Sequence, residues 1–226
     1  MVVSAEPVDV RFADIFMTAL TRYAQGFLTF GALAIGVTAI PVATLTVTRL
    51  AHASAATSLF ALGVGATLAL LVLGGVVTAS IGGRLRRTLP AVVASALLAL
   101  VPFAAAVFAF GALVVFVVPF LIVPLALAPV VAGAGDAGAV GALRRAFELA
   151  GGGGYRRMLS VCVVLTLAGL VFFFAYSIAV GPVAGSQRFV VSLLLWALTF
   201  GPISALTLRS IYGALTGKLV VRLRST

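Results

Sequence analysis

Seven side chains in this 226-residue chain carry a carboxylate, an imidazole or a thiol: Glu6, Asp9, Asp14, Asp136, Glu148, His52 and Cys162. Phosphoryl or acyl transfer asks for a general base beside a nucleophile, or for acids gathered round a metal. Past residue 14 the acids are Asp136 and Glu148, and neither is paired with a histidine. Their expected roles are structural: Asp136 as the N-cap of a following helix, Glu148 as the ion-pair partner of Arg144 or Arg145. Cys162 stands alone, without Cys-x-x-Cys spacing, and reads as a small apolar helix residue. No catalytic residue, metal ligand or cofactor is expected, so the chain reads as a non-enzyme.

Positive charge is what the chain has in quantity. Fifteen Lys and Arg stand against five acids, a formal charge of +10. Nucleic-acid binders gather such charge on one water-exposed face with polar or aromatic readers beside it. Here it sits in short gaps between apolar runs, as topology-setting charge does, so no nucleic-acid partner is expected.

The longest gap, 136–157, reads DAGAVGALRRAFELAGGGGYRR. On a helix Val140, Leu143, Phe147 and Ala150 share one face, Arg145 points away with Arg144 and Glu148 on its flank, and Leu149 breaks the pattern. Such a helix suits a membrane surface, its apolar face in the acyl boundary and its arginines among the phosphates. Arg144, Arg145, Arg156 and Arg157, with Arg84, Arg86 and Arg87 of the GGRLRR gap, are the expected contacts for anionic inner-leaflet lipid or for a partner.

The elements that must position these residues are helices in lipid. Hydrophobic residues make up 63% and charged residues 9%, against about 25% charged in soluble domains. A membrane span takes about 20 apolar residues. The pattern therefore predicts an all-α, polytopic membrane bundle with about six transmembrane helices in one domain. The spans fall near 27–47, 58–81, 89–110, 112–132, 158–180 and 189–208. Residues 1–26 form an N-terminal surface segment, with Phe12, Ile15, Phe16, Ala19, Leu20 and Tyr23 on one helix face, and 209–226 a basic surface tail. Glu6, Asp9 and Asp14 ahead of the first apolar run argue against a signal peptide.

The apolar run 89–132 is too long for one crossing and should reverse near Gly111. Pro41, Pro119, Pro124, Pro129 and Pro202 should kink their helices, each removing a backbone donor. Three prolines in one span allow either a broken helix lining a cavity or a kinked packing helix shielded by its neighbours. Gly63, Gly65, Gly74 and Gly75 should let a neighbouring helix approach closely. Phe172, Phe173, Phe174 and Tyr176 fit an interfacial aromatic belt.

Six spans with the N-terminus inside place thirteen basic residues on the inner side and only Arg49 and Arg188 outside. The expected location is a cell membrane, multi-pass, both termini cytoplasmic. The segments before spans one, three and five each set basic residues beside an apolar helix, a hint of three repeated units.

APVV (128–131), GAVGALRRAFEL (138–149), YRRML (155–159) and SIYGAL (210–215) together resemble the membrane-domain family found with some glycerophosphoryl diester phosphodiesterases. That family includes many free-standing, uncharacterised six-helix proteins of bacteria and archaea. Ala146 stands where the family often has serine, and GAGD replaces a more acidic link. The resemblance implies a six-helix integral membrane module. It does not imply phosphodiesterase activity, which belongs to a separate soluble domain with clustered His and Glu. The expected function is a membrane module that docks a membrane-protein partner or second copy, or organises lipid, at the inner leaflet. The alternative is a transporter or permease for an apolar or lipidic solute, motivated by the proline-bearing fourth span and the glycine-rich second span.

Overall fold

The computed structural model describes residues 12–110, 114–151, 155–181 and 185–217. Every regular element among them is an α-helix: α1 (Phe12–Gln25), α2 (Phe27–Leu50), α3 (Ala55–Ile81), α4 (Leu85–Phe110), α5 (Val114–Gly133), α6 (Ala139–Ala150), α7 (Tyr155–Ala179) and α8 (Gly185–Leu215). Backbone in lipid must close its hydrogen bonds within the segment, and a helix does so without a partner. The fold is the all-α bundle that composition requires. Five helices are long and apolar enough to cross a membrane, at Phe27–Leu50, Phe60–Ile81, Leu85–Pro102, Met158–Ala179 and Val191–Leu215, which makes the chain multi-pass.

The count among the described residues is thus five rather than about six. The remaining expected span, 112–132, corresponds to α5, whose described side chains cover Val123–Gly133, an apolar stretch too short to cross by itself. α4 ends at Phe110 and α5 begins at Val114, so the long apolar run is indeed two helices. The reversal expected at Gly111 lies outside the described residues.

Both surface segments differ from expectation. α8 continues past residue 208 to Leu215, because Ile211 and Tyr212 are buried in the main core with Ile15, Ala142 and Ala146. Lys218, Arg222 and Arg224 lie outside the described residues. α1 packs along α8 instead of resting on lipid alone, with Ile15 and Ala19 buried and Ala19 clustered with Ala205 and Leu206.

α5 is the centre of the bundle. From Val123 to Gly133 every residue but Ala126 is buried, against α3, α4, α6, α7 and α8. Small residues make this possible. A Cβ on Gly133 would sit 2.2 Å from the Gly75 carbonyl oxygen, and one on Gly75 would meet Val92 at 2.4 Å and the Pro129 carbonyl at 2.7 Å. The α3 and α5 backbones therefore touch directly, the geometry that glycine permits in membrane helices. Gly74 backs onto Val130 and Gly65 onto Pro41 and Thr44, whereas Gly63 has open space beside it.

The helices run through their prolines without a break. α5 is continuous through Pro119, Pro124 and Pro129, with Pro124 and Pro129 fully buried and the side chain of Pro119 outside the described set. α2 passes through Pro41 and α8 through Pro202 in the same way. At Pro202 the lost donor leaves a visible trace. The carbonyl of Leu198, which an N–H at position 202 would have bonded, accepts from the Tyr23 hydroxyl of α1. The same hydroxyl is held above its ordinary pKa of 10.0, first by burial and then by Tyr176, so it stays a donor.

α7 lies at the edge. Val163, Val164, Leu167, Val171, Phe174 and Ile178 are exposed along it. It is held to α8 by Trp196 Nε1, which donates to the Gly169 carbonyl at 2.9 Å, and by the Tyr176 hydroxyl on Thr199 Oγ1 at 2.9 Å. Phe172 packs its ring on Phe200, centroids 5.9 Å apart. Of the residues expected as an aromatic belt, Phe172 and Tyr176 therefore help join two helices, while Phe174 faces outward.

Candidate functional site

Three stretches distant in sequence meet at one end of the bundle. Arg84, in the turn between α3 and α4, donates from Nη1 to the carbonyl of Ala134 just after α5, at 3.1 Å. The chain then turns at Gly135, whose φ of +75° favours a residue without a Cβ. Asp136 follows, and its Oδ2 accepts a hydrogen bond from the Tyr212 hydroxyl near the end of α8. Asp136 is not the N-cap residue of α6. The N-cap of α6 is Gly138, with no side-chain hydrogen bond, and the carboxylate serves to tie α8 to the α5–α6 turn.

α6 sits on this end by a face other than the expected one. Ala142, Ala146 and Ala150, one turn apart, are buried against the bundle, with Leu143 and Leu149 partly buried beside them. Val140, 72% exposed, and Phe147, 43% exposed, point outward. The reason is packing distance: alanines let α6 come close to α4 and α5, which the larger Val and Phe would prevent. Leu149, which seemed to break the apolar stripe, lies on the docked side. α6 thus has a small-residue face on the protein, an apolar pair facing out, and arginines between.

Next to α6 is an open cleft of about 540 Å³, lined among others by Asp136, Gly141, Arg144, Arg145, Glu148 and Tyr212. Glu148 is shared by two arginines: Arg144 Nε reaches Oε1 at 3.1 Å and Arg145 Nη1 reaches Oε2 at 3.0 Å. Arg145 and then Arg144 hold the Glu148 carboxyl below its ordinary value of 4.5. Both arginines stay largely exposed, at 81% and 54% of their side chains, so the pairing leaves donors free to reach outward. Such guanidinium forks suit phosphate or carboxylate oxygens. Among the described residues, no three His, Cys, Asp or Glu stand together as a metal site would need.

No family model, curated protein or solved structure matches this chain. Residues of 128–131, 138–149, 155–159 and 210–215 share one buried cluster: Ala128, Val130 and Val131, then Ala142 and Ala146, then Met158, then Ile211 and Tyr212.

Of the seven arginines expected at the surface, Arg144 and Arg145 come together at the cleft and Arg84 spans two turns. Arg86 and Arg87 are exposed in the first turn of α4. Arg156 and Arg157 begin α7, with side chains outside the described set. The five described arginines of this end face two carboxylates, leaving it positive. Tyr212 is the participant that sequence reasoning missed. Its signal was a lone polar-tipped aromatic at the end of the last apolar run, which by itself does not say where the hydroxyl goes.

Proposed function

We propose that this chain is a non-enzymatic membrane module that organises anionic lipid at the inner leaflet through the end of the bundle built around α6. The observation that carries the reading is the orientation of α6. Its alanines fix it to the protein, so Val140 and Phe147 project beside Arg144 with no protein partner face left to fill. That pairing of apolar and cationic groups matches the boundary between acyl chains and headgroups. The helix dipole adds to it: Arg86 and Arg87 in α4, and Arg156 and Arg157 in α7, stand in first turns, where the dipole disfavours a cation unless an anion lies outside.

On this reading α5 is the sixth span, both termini are cytoplasmic, and the arginine-bearing end faces inward in a cell membrane. The distribution of basic residues supports that orientation. The resemblance to the six-helix phosphodiesterase-associated membrane domains supports the same plan. Against the transport alternative, α5 is continuous through its prolines and its described side chains, Val123–Gly133, are almost all buried among other helices.

The test is lipid sorting in vesicles of mixed phosphatidylglycerol and phosphatidylcholine. Each surface arginine near anionic lipid contributes about 1 kcal/mol. Replacing Arg144 and Arg145 with Gln should therefore weaken the enrichment of phosphatidylglycerol around the protein about tenfold or more. Unchanged sorting by a folded double variant, with loss of a co-purifying protein instead, would replace lipid organisation by partner docking.

A further inference from the structure

A second pair of arginines lies away from the cleft, in the seam where α1 packs on α8. Arg209 stands in α8 between Ala205 and Leu206, which share one buried cluster with Ala19 of α1, and Ile211 and Tyr212, which share another with Ile15. Its side chain is partly buried, and its Nε is closed off from solvent without a hydrogen-bond partner among the described residues. The neighbouring charge that acts on it is Arg22 of α1, which has the same sign. At the cleft the arrangement is different: Arg144 and Arg145 share the Glu148 carboxylate, and Arg84 has the Ala134 carbonyl.

A shielded guanidinium nitrogen with no acceptor is unfavourable, and a second cation beside it adds repulsion. One anion placed between the two side chains removes both penalties. We propose that Arg22 and Arg209 bind the phosphate of an anionic lipid in the α1–α8 seam. The planar forks of two arginines match the oxygens of a phosphodiester, and Nε with an adjacent terminal nitrogen makes the bidentate contact. The place suits a headgroup. α1 ends at Gln25, just before the first crossing helix begins at Phe27, and Arg209 lies near the end of the last one. Long basic side chains at span ends reach toward the phosphate level. The site requires only that the chain be embedded in a membrane and does not depend on the role given to α6.

The experiment uses the full chain purified in mild detergent, with native mass spectrometry for retained lipid and thermal melting during titration. The probes are phosphatidylglycerol, phosphatidylcholine and inorganic phosphate. The unmodified chain should retain one phosphatidylglycerol and melt at higher temperature as that lipid is added. R22Q/R209Q should bind it about tenfold or more weakly, while R49Q, at an exposed arginine outside both sites, keeps the one-to-one adduct. R209K retains the charge but loses Nε and the fork, and should also bind more weakly. Equal retention of phosphatidylcholine overturns the anionic requirement. Equal protection by inorganic phosphate makes this a free-anion site and overturns the lipid assignment. If R22Q/R209Q does not fold, R209K decides, and unchanged phosphatidylglycerol binding by R209K overturns the proposal.

Discussion

α5 and α7 are both long apolar helices, yet they occupy opposite environments. α5 is enclosed by five other helices from Val123 to Gly133, while α7 leaves Val163, Val164, Leu167, Val171, Phe174 and Ile178 uncovered. Hydrophobicity does not separate them, because lipid welcomes an apolar side chain as readily as a protein interior does. What separates them is size on opposite faces. α5 offers glycine, alanine, valine and proline in several directions, so several backbones can close on it. α7 is bulky along its outer side and meets α8 closely at Gly169, where a Cβ would fall 2.8 Å from the Phe200 ring. In a membrane, close packing and internal hydrogen bonds replace the hydrophobic drive between helices.

The sharpest way to break that contrast is Gly133→Leu. Its Cβ would fall 2.2 Å from the Gly75 carbonyl oxygen, where only backbone separation makes room. Overpacking costs about 1–3 kcal/mol when side chains can yield. Here none can, so the variant should fail to fold or lose most of its resistance to SDS unfolding. Leu127→Ala leaves a void in the enclosed helix, and a loss of about 3 kcal/mol is expected in the same unfolding titration. In lipid that loss comes from missing contacts more than from transfer out of water.

Tyr23→Phe removes the hydroxyl that satisfies the Leu198 carbonyl opposite Pro202, leaving a carbonyl open in a helix that crosses lipid. A loss of about 1–3 kcal/mol should appear in thermal melts, with little change in shape or volume. Val171→Ala on α7 is the counterpart to Leu127→Ala. At 68% exposure it should change stability by less than about 0.5 kcal/mol, and a larger change would mean that α7 is covered by another molecule.

The smallest effect concerns α6. Because its arginines depress the folded pKa of Glu148, their stabilising contribution is complete above the ordinary value of 4.5 and fades as pH falls through the lower folded value. Unfolding curves of the unmodified chain and Glu148→Gln should therefore draw together only below pH 4.5. Convergence at neutral pH would show that the ion pairs contribute nothing.

The candidate site was legible in pieces. The Glu148 pairing with Arg144 and Arg145 follows from spacing on a helix, and the gaps that hold Arg84, Arg86 and Arg87 are plain in a sequence this apolar. The docked face of α6 was not legible, because a membrane helix buries its small residues against protein and turns larger apolar ones to lipid, the reverse of a soluble helix. Asp136 shows the same limit. A carboxylate two residues before the α6 N-cap is a reasonable capping group until Tyr212 arrives from the far end of the chain.

The amino-acid sequence by itself determined that this protein is helical and multi-pass, since an apolar chain in lipid must satisfy its backbone within each segment. It also determined where most helices start and stop, because glycine and charge interrupt the apolar runs. Only the tertiary structure decided which helix is central, which face of α6 is docked, and which hydroxyl meets the carbonyl freed by Pro202. Those outcomes depend on side-chain volume and hydrogen-bond partners between helices that hydropathy does not distinguish.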